Sequence, residues 1–488
     1  MRQSIRFLRR GRVVEIGGLD PRTTLLDYLR LAERSVGTKE GCAEGDCGAC
    51  TVVLGRLGGG ELSYEPVNAC ILLAGQADGA EIVTVEDLAD ADGLHPVQAA
   101  MVAQHGSQCG FCTPGIVMSL YALHQSAPRP VARQAVLDAL AGNLCRCTGY
   151  RPIVDAALQA CAAAPVRAAS AEEAAGLAAL DDGRDVMVGD RDHFFAAPAS
   201  EAALSDLYLR HPDAWLVAGA TDLGLAVTKA LAEPRKVIWL GRVRELAEIE
   251  RTGSELVLGA GVSLARAKPL LAGIDADLGE IMRRFGSPQV RASGTVGGNI
   301  ANGSPIGDLA PCLIALGARL ELARGTERRV LALEDFFLAY KKQDRRPGEY
   351  VRRVHVPLLA VNEHLRAFKL SKRMDEDISA ALAAFKLRVE GRTIVAARVA
   401  CGGVAGIPAR ARGCEAALVG ASLDDRSTWN RPLDKLAADF APISDHRASA
   451  AYRTAALRNL LLKALMEIAG APEQTTRLRA SREQVHAG

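Results

Sequence analysis

The sequence predicts a multidomain α+β protein, and three observations lead to this fold class. The chain has 488 residues, which is more than one hydrophobic core usually serves. Hydrophobic residues make up 49% and charged residues 24% of the chain, as in soluble globular proteins. Strand-like and helix-like patterns then alternate in blocks, so that a strand-rich beginning is followed by a helical stretch and two mixed regions.

Charge and hydropathy exclude several classes of protein. The net charge is only +2, from 59 basic and 57 acidic residues, and no basic tract stands out, which argues against nucleic-acid binding. No signal-peptide pattern and no stretch near 18 uninterrupted apolar residues is found, so we expect a cytoplasmic protein. In a reducing compartment, the 12 cysteines favour metal binding or redox chemistry over disulfides.

The pattern divides the chain into four domains and a linker. Residues 1–83 begin with a hairpin around the turn 9–11 and a helix capped near Thr24. Residues 84–164 contain four helical segments, starting near 96, 113, 134 and 152, which indicate a small bundle. Residues 165–192, rich in Ala, Gly and Asp, are interpreted as a partly helical linker. Mixed strands and helices fill residues 193–372, among them a helix over 223–232, and a final α+β domain spans 376–485.

The first group of cysteines has the spacing C-x4-C-x2-C-x19-C, formed by Cys42, Cys47, Cys50 and Cys70. This is the spacing of plant-type [2Fe–2S] ferredoxins, in which a tight loop supplies three thiolates and a separate element the fourth. Glycines at 41, 45 and 48 allow unusual backbone dihedrals and bring backbone N–H groups near the sulfurs. A four-cysteine zinc site is the competing interpretation, although zinc sites usually pair two C-x2-C knuckles.

A second group has the pattern C-x2-C…C-x-C, formed by Cys109, Cys112, Cys145 and Cys147. Each pair is predicted at a helix terminus of the bundle, where free N–H groups and the helix dipole stabilise thiolates. From spacing alone, zinc remains an alternative to a [2Fe–2S] cluster. The isolated cysteines Cys161, Cys312, Cys401 and Cys414 are interpreted as small buried hydrophobes.

Two glycine-rich stretches follow the linker, at residues 216–223 and 295–299. Neither matches G-x-G-x-x-G, so a Rossmann dinucleotide site is not indicated. Each forms a turn without bulky side chains, in which successive backbone N–H groups can make an anion nest for a pyrophosphate. On the residues alone, ordinary structural turns are the favoured interpretation.

The two cysteine motifs carry a resemblance to a known family. QCGFCTPG at 108–115, NLCRCTGYR at 143–151 and GCAEGDCGAC at 41–50 are similar to the iron–sulfur motifs of molybdenum hydroxylases, and the resemblance extends over nearly the whole chain. It implies a β-grasp [2Fe–2S] ferredoxin-like domain, a four-helix [2Fe–2S] bundle, a two-part FAD-binding domain of the PCMH type and a C-terminal domain like that of carbon monoxide dehydrogenase flavoproteins. It also implies that Gln108 lies near a molybdenum cofactor on a partner.

The same resemblance implies a set of FAD contacts in the flavin region. They are Leu216, Val217, Ala218, Gly219, Ala220, Thr221, Asp222, Leu223, Phe285, Thr295, Val296, Gly297, Gly298, Asn299, Asp308 and Lys369. Ala220 departs from the glycine-richest members of the family, but a contact made through the backbone tolerates that change. For Lys369, a cation facing the flavin competes with a solvated surface lysine.

The resemblance is strongest to the xanthine dehydrogenase branch of the family. It implies an iron–sulfur/flavin subunit that relays electrons from a molybdenum cofactor on a molybdopterin-binding large subunit, through both clusters and FAD, to NAD+ during hydroxylation of hypoxanthine or xanthine. Because the chain ends after the flavoprotein domain, we expect no catalytic acid or base here and an assembly of two small and two large subunits. Rival hypotheses are another molybdenum hydroxylase acting on an aldehyde or N-heterocycle, a structural zinc protein, and a free-standing NADH-linked electron carrier.

Overall fold

The computed structural model describes residues 1–58, 61–91, 93–162 and 171–477. The chain forms two compact units. The first consists of Met1–Arg244 and the short segment Gly286–Gly294, and the second of Glu245–Phe285 and Thr295–Gly488. The nine residues of Gly286–Gly294 therefore belong to the first unit, although the sequence on both sides of them belongs to the second.

The first unit begins with a five-stranded sheet in the order β2-β1-β5-β3-β4. Its strands are β1 (Ser4–Arg9), β2 (Arg12–Gly17), β3 (Thr51–Gly58), β4 (Glu61–Asn68) and β5 (Glu81–Val83). β1 pairs antiparallel with β2, as the sequence predicts, and parallel with β5. This mixed order, with hairpins on both sides of a parallel central pair, confirms the β-grasp domain. Thr24 caps the short helix Leu25–Asp27, which continues as the π-helical turn Tyr28–Ala32.

A helical region follows, and the four predicted helices are all present. They span Pro96–Ala103, Thr113–Ser126, Arg133–Leu140 and Arg151–Ala160. Pro occupies the first turn of three of them, where its missing N–H costs no hydrogen bond. Their apolar faces share one core, in which Ile116, Val136 and Ile153 are fully buried. The predicted end of the fourth helix, residues 163 and 164, lies outside the described residues.

The region interpreted as a linker is more structured than its weak periodicity suggests. It contains the helix Ala171–Leu180 and the strand β6 (Val186–Gly189), while residues 165–170 lie outside the described part of the chain. Leu177 and Leu180 are buried against Leu8 of the first sheet. β6 is also the edge of a four-stranded sheet, so a linker reaching residue 192 is wrong. Packing against distant residues, which no local pattern reveals, stabilises this segment.

That sheet has the order β6-β7-β9-β8 and completes the first unit. The remaining strands are β7 (Phe194–Ala197), β8 (Trp215–Val217) and β9 (Lys236–Trp239), and the helices are Glu201–Arg210, Leu223–Thr228 and Pro288–Ser293. The helix expected over 223–232 ends at Thr228, and Leu231 has a positive φ of 54°. Short 3-10 turns span Ala74–Ala77, Val85–Asp87 and Arg244–Ala247.

The second unit contains an antiparallel five-stranded sheet in the order β10-β11-β16-β12-β13. Its strands are β10 (Ile249–Arg251), β11 (Glu255–Gly259), β12 (Arg319–Arg324), β13 (Glu327–Ala332) and β16 (Tyr350–Pro357), with a separate pair of β14 (Phe337–Ala339) and β15 (Lys342–Gln343). Helices at Leu264–Ala272, Ala276–Arg283, Val296–Asn302, Leu309–Leu316 and Leu333–Phe336 accompany it. Leu309–Leu316 is buried along its whole length, at the centre of this core.

A four-stranded antiparallel sheet, β17-β18-β19-β20, forms the rest of the second unit. The strands are Glu363–Leu370, Ala381–Glu390, Thr393–Gly402 and Ala409–Arg410, and the helices are Arg412–Leu418, Asn430–Ala438, Ala450–Ile468 and Glu473–Thr476, with a 3-10 turn at Arg426–Trp429. The long helix Ala450–Ile468 buries Leu457, Leu461 and Leu465 against the sheet. Within the described ranges, no helix has both the length and the hydropathy needed to cross a bilayer.

Candidate iron–sulfur and flavin sites

The first cysteine set lies at one end of the β3–β4 hairpin. Cys50 immediately precedes β3 and Cys70 follows β4 by two residues, and the pairing of Thr51 with Asn68 brings both cysteines to the same end. Cys42 and Cys47 come from the glycine-rich loop that leads into β3. The loop before β3 thus supplies Cys42, Cys47 and Cys50, and the segment after β4 supplies Cys70.

Backbone N–H groups surround the sulfur of Cys42. The amides of Glu44, Asp46 and Cys47 donate to its Sγ at 3.4, 3.4 and 3.3 Å. Hydrogen bonds with the thiols of Cys47 and Cys70 lower the pKa of Cys42 far below its ordinary value, and the amides add to this effect. The same thiol contacts raise the pKa of Cys47 and Cys70. N–H donors that stabilise a thiolate are the environment an iron–sulfur cluster uses.

Positive φ angles shape this loop, as the glycines predict. Gly45 has φ +78° and Gly48 φ +70°, and Ala43, which the sequence does not single out, has φ +54°. Two features exclude a side chain at Gly48. Its positive φ disfavours any residue with a Cβ, and a Cβ there would lie 2.1 Å from the carbonyl oxygen of Gly142. The loop is therefore closed against the helical region by direct backbone contact.

The second cysteine set joins two loops of the helical region. Cys112 is the N-cap of Thr113–Ser126, and Cys145 and Cys147 lie in the loop that precedes Arg151–Ala160. The thiol of Cys109 interacts with Cys147, and that of Cys112 with Cys145. The Thr148 hydroxyl lies 3.2 Å from the sulfur of Cys145.

The expected role of helix ends at these cysteines needs correction. Cys145 and Cys147 precede the first residue of their helix, Arg151, by six and four positions, so they are not at its terminus. Burial, with help from Cys145, raises the pKa of Cys112 to about 12. Against the effect of burial, hydrogen bonds from the Thr148 hydroxyl and backbone lower the pKa of Cys145. The Thr148 hydroxyl and backbone groups thus favour the thiolate of Cys145, whereas Cys112, as an N-cap, lies at a helix terminus as predicted.

Both sets fit two-iron clusters in the way their thiols associate. In the first set Cys42 contacts both Cys47 and Cys70, and Cys70 also contacts Cys50, so the four thiols form one connected group. The second set consists of two pairs. A [2Fe–2S] cluster takes four thiolates, so four adjoining thiols suit it. Among the described residues, no three Cys, His, Asp or Glu side chains are grouped around one ion position.

The first cysteine loop, residues 41–50, is joined by direct hydrogen bonds to the second cysteine loop, residues 143–150, which carries Cys145 and Cys147. The N–H of Leu144, next to Cys145, donates to the carbonyl oxygen of Cys47 at 2.9 Å. The side-chain amide of Asn143 donates to the carbonyl oxygen of Gly48 at 3.1 Å. One hydrogen bond therefore connects the peptide beside a cysteine of the second set to a cysteine of the first.

The two sets differ in their exposure to solvent. Cys50 and Cys70 of the first set are only 1% and 2% exposed. In the second set Cys109 and Cys147 are exposed, and so is Gln108. The large apolar side chains of Phe111 and Leu144 beside them are about half exposed, at 48% and 49%. This apolar surface around an exposed cysteine pair is the kind of patch that a protein partner covers.

The first glycine-rich stretch, residues 216–223, belongs to the first unit. It leaves β8 and turns into the helix Leu223–Thr228 through Ala220, which has φ +60°. Within the described residues, the backbone amides of Gly219, Ala220 and Thr221 donate to no acceptor. A Cβ at Gly219 would lie 2.0 Å from the carbonyl oxygen of Ser293, so the stretch is packed closely on that side. Three consecutive unpaired amides are suited to an anion such as a pyrophosphate.

This stretch is adjacent to the first cysteine loop. The Thr228 hydroxyl donates to the carbonyl oxygen of Ala43 at 2.7 Å, and Lys229 pairs with Glu44 at 3.6 Å. A Cβ at Gly224 would lie 2.3 Å from the carbonyl oxygen of Ile71, the residue after Cys70. The helix that follows the first glycine-rich stretch thus packs on the backbone of both parts of the first cysteine set.

The second stretch, Thr295 to Asn299 of the second unit, differs from the expected anion nest. The amides of Val296 and Gly297 donate to the carbonyl oxygens of Val262 and Ala260, and those of Gly298 and Asn299 donate to Thr295. All four amides are thus occupied, and an N–H nest formed by them is wrong. The buried Oδ1 of Asn299 has no hydrogen-bond partner within the described residues, so this side chain is what the stretch offers a ligand.

Asp308 and Lys369, also in the second unit, form a buried ion pair. Lys369 Nζ lies 2.6 Å from Asp308 Oδ2 and donates to the carbonyl oxygen of Arg284 at 3.2 Å. The Ser379 hydroxyl donates to the other carboxylate oxygen of Asp308. Lys369 is therefore not a solvated surface lysine. Arg284 in turn donates to the carbonyl oxygen of Lys369, which fixes the residue next to Phe285.

Comparison with known proteins assigns these regions to four domain families. Residues 9–74 match the 2Fe-2S iron-sulfur cluster binding domain and 84–158 the [2Fe-2S] binding domain. Residues 190–359 match the FAD binding domain in molybdopterin dehydrogenase, and 366–468 the CO dehydrogenase flavoprotein C-terminal domain. The two cysteine sets lie within the first two matches, and the two glycine-rich stretches within the third.

Xanthine dehydrogenases are similar to this chain over most of its length. The xanthine dehydrogenase of Emericella nidulans is 31% identical over 90% of this chain, and that of Drosophila pseudoobscura pseudoobscura is 34% identical over 95%. The chain spans only 36% and 39% of their lengths. Among solved structures, the Cu,Mo-CO dehydrogenase has a chain that is 28% identical with a TM-score of 0.53, and the alignment covers 57% of this chain and 98% of that one. A chain of quinoline 2-oxidoreductase from Pseudomonas putida 86 is 28% identical with a TM-score of 0.52, and the alignment covers 56% of this chain and 96% of that one.

Fold and domain content together define an iron–sulfur flavoprotein with two [2Fe–2S] domains and one FAD-binding domain. The chain belongs to the molybdenum hydroxylase family of oxidoreductases.

Proposed function

We propose that this chain is the electron-transfer subunit of a xanthine dehydrogenase. Electrons from a molybdenum cofactor on a partner subunit would reach the cluster at Cys109, Cys112, Cys145 and Cys147 first. They would pass next to the cluster at Cys42, Cys47, Cys50 and Cys70, and then to FAD and NAD+. Iron–sulfur clusters carry single electrons and a flavin handles one or two, so the bound groups connect a two-electron oxidation to the reduction of a nicotinamide.

The order of the relay rests on one chain of contacts within the first unit. The second cysteine loop meets the first through the hydrogen bond from Leu144 to Cys47. The first loop meets the helix that follows the first flavin stretch, through Ala43 and Thr228. The exposed end of this series is the pair Cys109 and Cys147, beside Gln108, where an electron donor on another subunit can approach.

For FAD, we propose contacts in each unit separately. In the first unit they come from Leu216 to Leu223, where the free amides of Gly219, Ala220 and Thr221 suit the pyrophosphate. In the second unit they come from Phe285, Thr295 to Asn299, Asp308 and Lys369. There the unpaired Asn299 Oδ1 and the Lys369–Asp308 pair provide the polar groups.

We base the proposed partner, substrate and electron acceptor on the similar xanthine dehydrogenases. We infer a molybdopterin-binding large subunit, an assembly of two small and two large subunits, a cytoplasmic location, and oxidation of hypoxanthine and xanthine with NAD+. The supporting observation is the similarity to xanthine dehydrogenases over at least 90% of the chain.

An anaerobic visible and EPR spectrum of the chain with its co-purifying partner, recorded before and after adding xanthine, tests this function. We expect bleaching of flavin and iron–sulfur bands and two distinct EPR signals. If xanthine leaves the bands unchanged while NADH reduces them, the assigned substrate is wrong. A colourless protein that contains zinc would overturn the whole proposal, and full NADH-linked activity without any large subunit would identify a free-standing carrier.

A second candidate is the equivalent subunit of another molybdenum hydroxylase. The similarity to chains of a CO dehydrogenase and a quinoline 2-oxidoreductase favours it. Reduction of the cofactor bands by an aldehyde or an N-heterocycle, but not by xanthine, would select this candidate, since the relay in this chain would be the same.

A further inference from the structure

Gln289 stands out among the buried polar residues of the first unit. It lies in Gly286–Gly294, the segment between Phe285 and Thr295 that joins the first unit, and its side chain has no solvent exposure. A fully buried amide is costly unless it is hydrogen-bonded. The flavin assignments make no use of Gln289, so its position requires a separate explanation.

The side-chain nitrogen of Gln289 is at the centre of a polar cluster. It lies 3.1 Å from each of Thr51 Oγ1, Ser119 Oγ and Asn143 Oδ1. The network fixes the orientation of both amides. Asn143 donates through Nδ2 to Gly48 and Thr51, so its Oδ1 must accept, and the group of Gln289 that faces it must be the NH2.

Each acceptor belongs to an element that carries cysteine ligands. Thr51 directly follows Cys50 and donates to the carbonyl oxygen of Gly48. Asn143 lies two residues before Cys145 and accepts from Ser119 at 2.6 Å. Ser119 is on the helix that begins after Cys112. One side chain from a distant part of the sequence thus ties both cysteine loops and a helix together.

We propose that Gln289 is a positioning residue that holds the second cysteine loop against the first. This inference rests on the proposed electron relay. The N–H of Leu144 can reach the carbonyl oxygen of Cys47 only while Asn143 stays beside Gly48 and Thr51. Without the Gln289 amide, Asn143 keeps only Ser119 as a donor to its Oδ1, so the second loop separates from the first more easily.

The test replaces Gln289 by a side chain of similar size without donors. Gln289→Met also removes the buried Oε1, which has no partner in the described residues, and this offsets part of the stability that is lost. We expect the variant to fold and to bind iron. In it the Leu144 amide should exchange with deuterium about tenfold faster, which corresponds to the loss of one net hydrogen bond of ordinary strength.

Electron transfer between the clusters gives the second readout. In the complete enzyme, Gln289→Met should weaken the magnetic coupling between the two reduced EPR signals. It should also slow electron transfer from the second cluster to the first, because the rate of electron tunnelling falls as the distance between the clusters grows. Ser119→Ala, which removes one acceptor of Gln289 and the other donor to Asn143 Oδ1, should change both quantities in the same direction.

Gln98→Met is the matched control. Gln98 bonds to His95 and Val85 in the same helical region but touches neither cysteine loop, so its variant should keep the exchange rate and the coupling of the parent. The inference is overturned if Gln289→Met and Ser119→Ala both retain the parent exchange rate and coupling, or if Gln98→Met changes them equally. The amide exchange of Leu144 is measured on the iron-loaded parent and variants, and a parent protein that lacks iron would show separately that the proposed relay is wrong.

Discussion

The two cysteine loops hold chemically identical ligands by different means. In the first loop the backbone surrounds the ligands, since three amides donate to the sulfur of Cys42 and two glycines have positive φ. Cys50 and Cys70 are buried. In the second set side chains are added to backbone groups, since Thr148 reaches the sulfur of Cys145 and Tyr150 donates to the carbonyl oxygen of Asn143. The first loop should therefore tolerate few changes of backbone, whereas single side chains should tune the second.

The largest expected effect is loss of the relay at its exposed end. Cys147→Ser removes a ligand of the second set, so reduction of FAD by xanthine should fall more than about 100-fold, since changes to outer-shell groups of metal sites alone cost about 10–100-fold. Reduction by NADH should remain, because the first set and the flavin stretches are untouched. Stopped-flow absorbance of the flavin measures both rates.

The matched control for this variant is Cys161→Ser. Cys161 is a buried cysteine of the same region outside both sets, and burial raises the pKa of its thiol. We expect it to keep both rates. If xanthine reduced the flavin of Cys147→Ser at the normal rate, the proposed order of the clusters would be wrong.

Stability gives the next effect, at Gly48. Gly48→Ala combines a positive φ with a Cβ only 2.1 Å from the carbonyl oxygen of Gly142, so the free energy of unfolding should fall by about 3 kcal/mol or more. Gly110→Ala, between Cys109 and Cys112 of the second set, has φ +84° but no atom within 4 Å of the new Cβ, so only backbone strain of about 1–2 kcal/mol applies. Urea unfolding of both variants compares the loops directly, and equal losses would show that the first loop is no more tightly packed than the second.

A smaller effect is expected on the potential of the second cluster. Thr148→Val removes the hydroxyl near Cys145 Sγ and should lower that potential by about 50 mV, which corresponds to roughly 1 kcal/mol for one electron. Redox titration followed by EPR would show it. Thr113→Val is the control, because its hydroxyl bonds to Ser107 and not to a sulfur. If instead the EPR signal assigned to the first cysteine set shifted, the two signals would have been assigned to the wrong sets.

Local patterns predicted many of the elements. The hairpin around Gly11, the four helices of the bundle and the burial of Cys312 and Cys401 follow from short stretches of sequence, and the structure confirms them. The assignment of the eight clustered cysteines as cluster ligands stays a prediction. The strand β6 was missed because its apolar run, 186–188, is only three residues long, and its stability comes from pairing with β7.

Long-range contacts could not be predicted from one sequence. The occupied amides of Val296 and Gly297 depend on Val262 and Ala260, more than 30 positions away. The ion pair of Lys369 with Asp308 and the cluster around Gln289 likewise join distant segments. A glutamine in a motif rich in Ser and Pro carries no local signal of burial, so only the packed structure reveals its partners.

The last prediction concerns the pH dependence of the unfolding free energy, to which a buried histidine of the helical region contributes. His124 is fully buried, and desolvation together with the charge of Arg129 lowers its pKa below the ordinary value near 6.5. In the unfolded chain the imidazole takes up its proton first as the pH falls. The unfolding free energy should therefore be complete above about pH 6.5 and decrease below it, by at most about 1.4 kcal/mol per pH unit. His124→Leu should remove this part of the slope, whereas His105→Asn, at an exposed histidine of the same region, should keep it. Urea unfolding between pH 5 and 8 measures the slopes, and an unchanged slope in His124→Leu would mean that other groups cause the acid sensitivity.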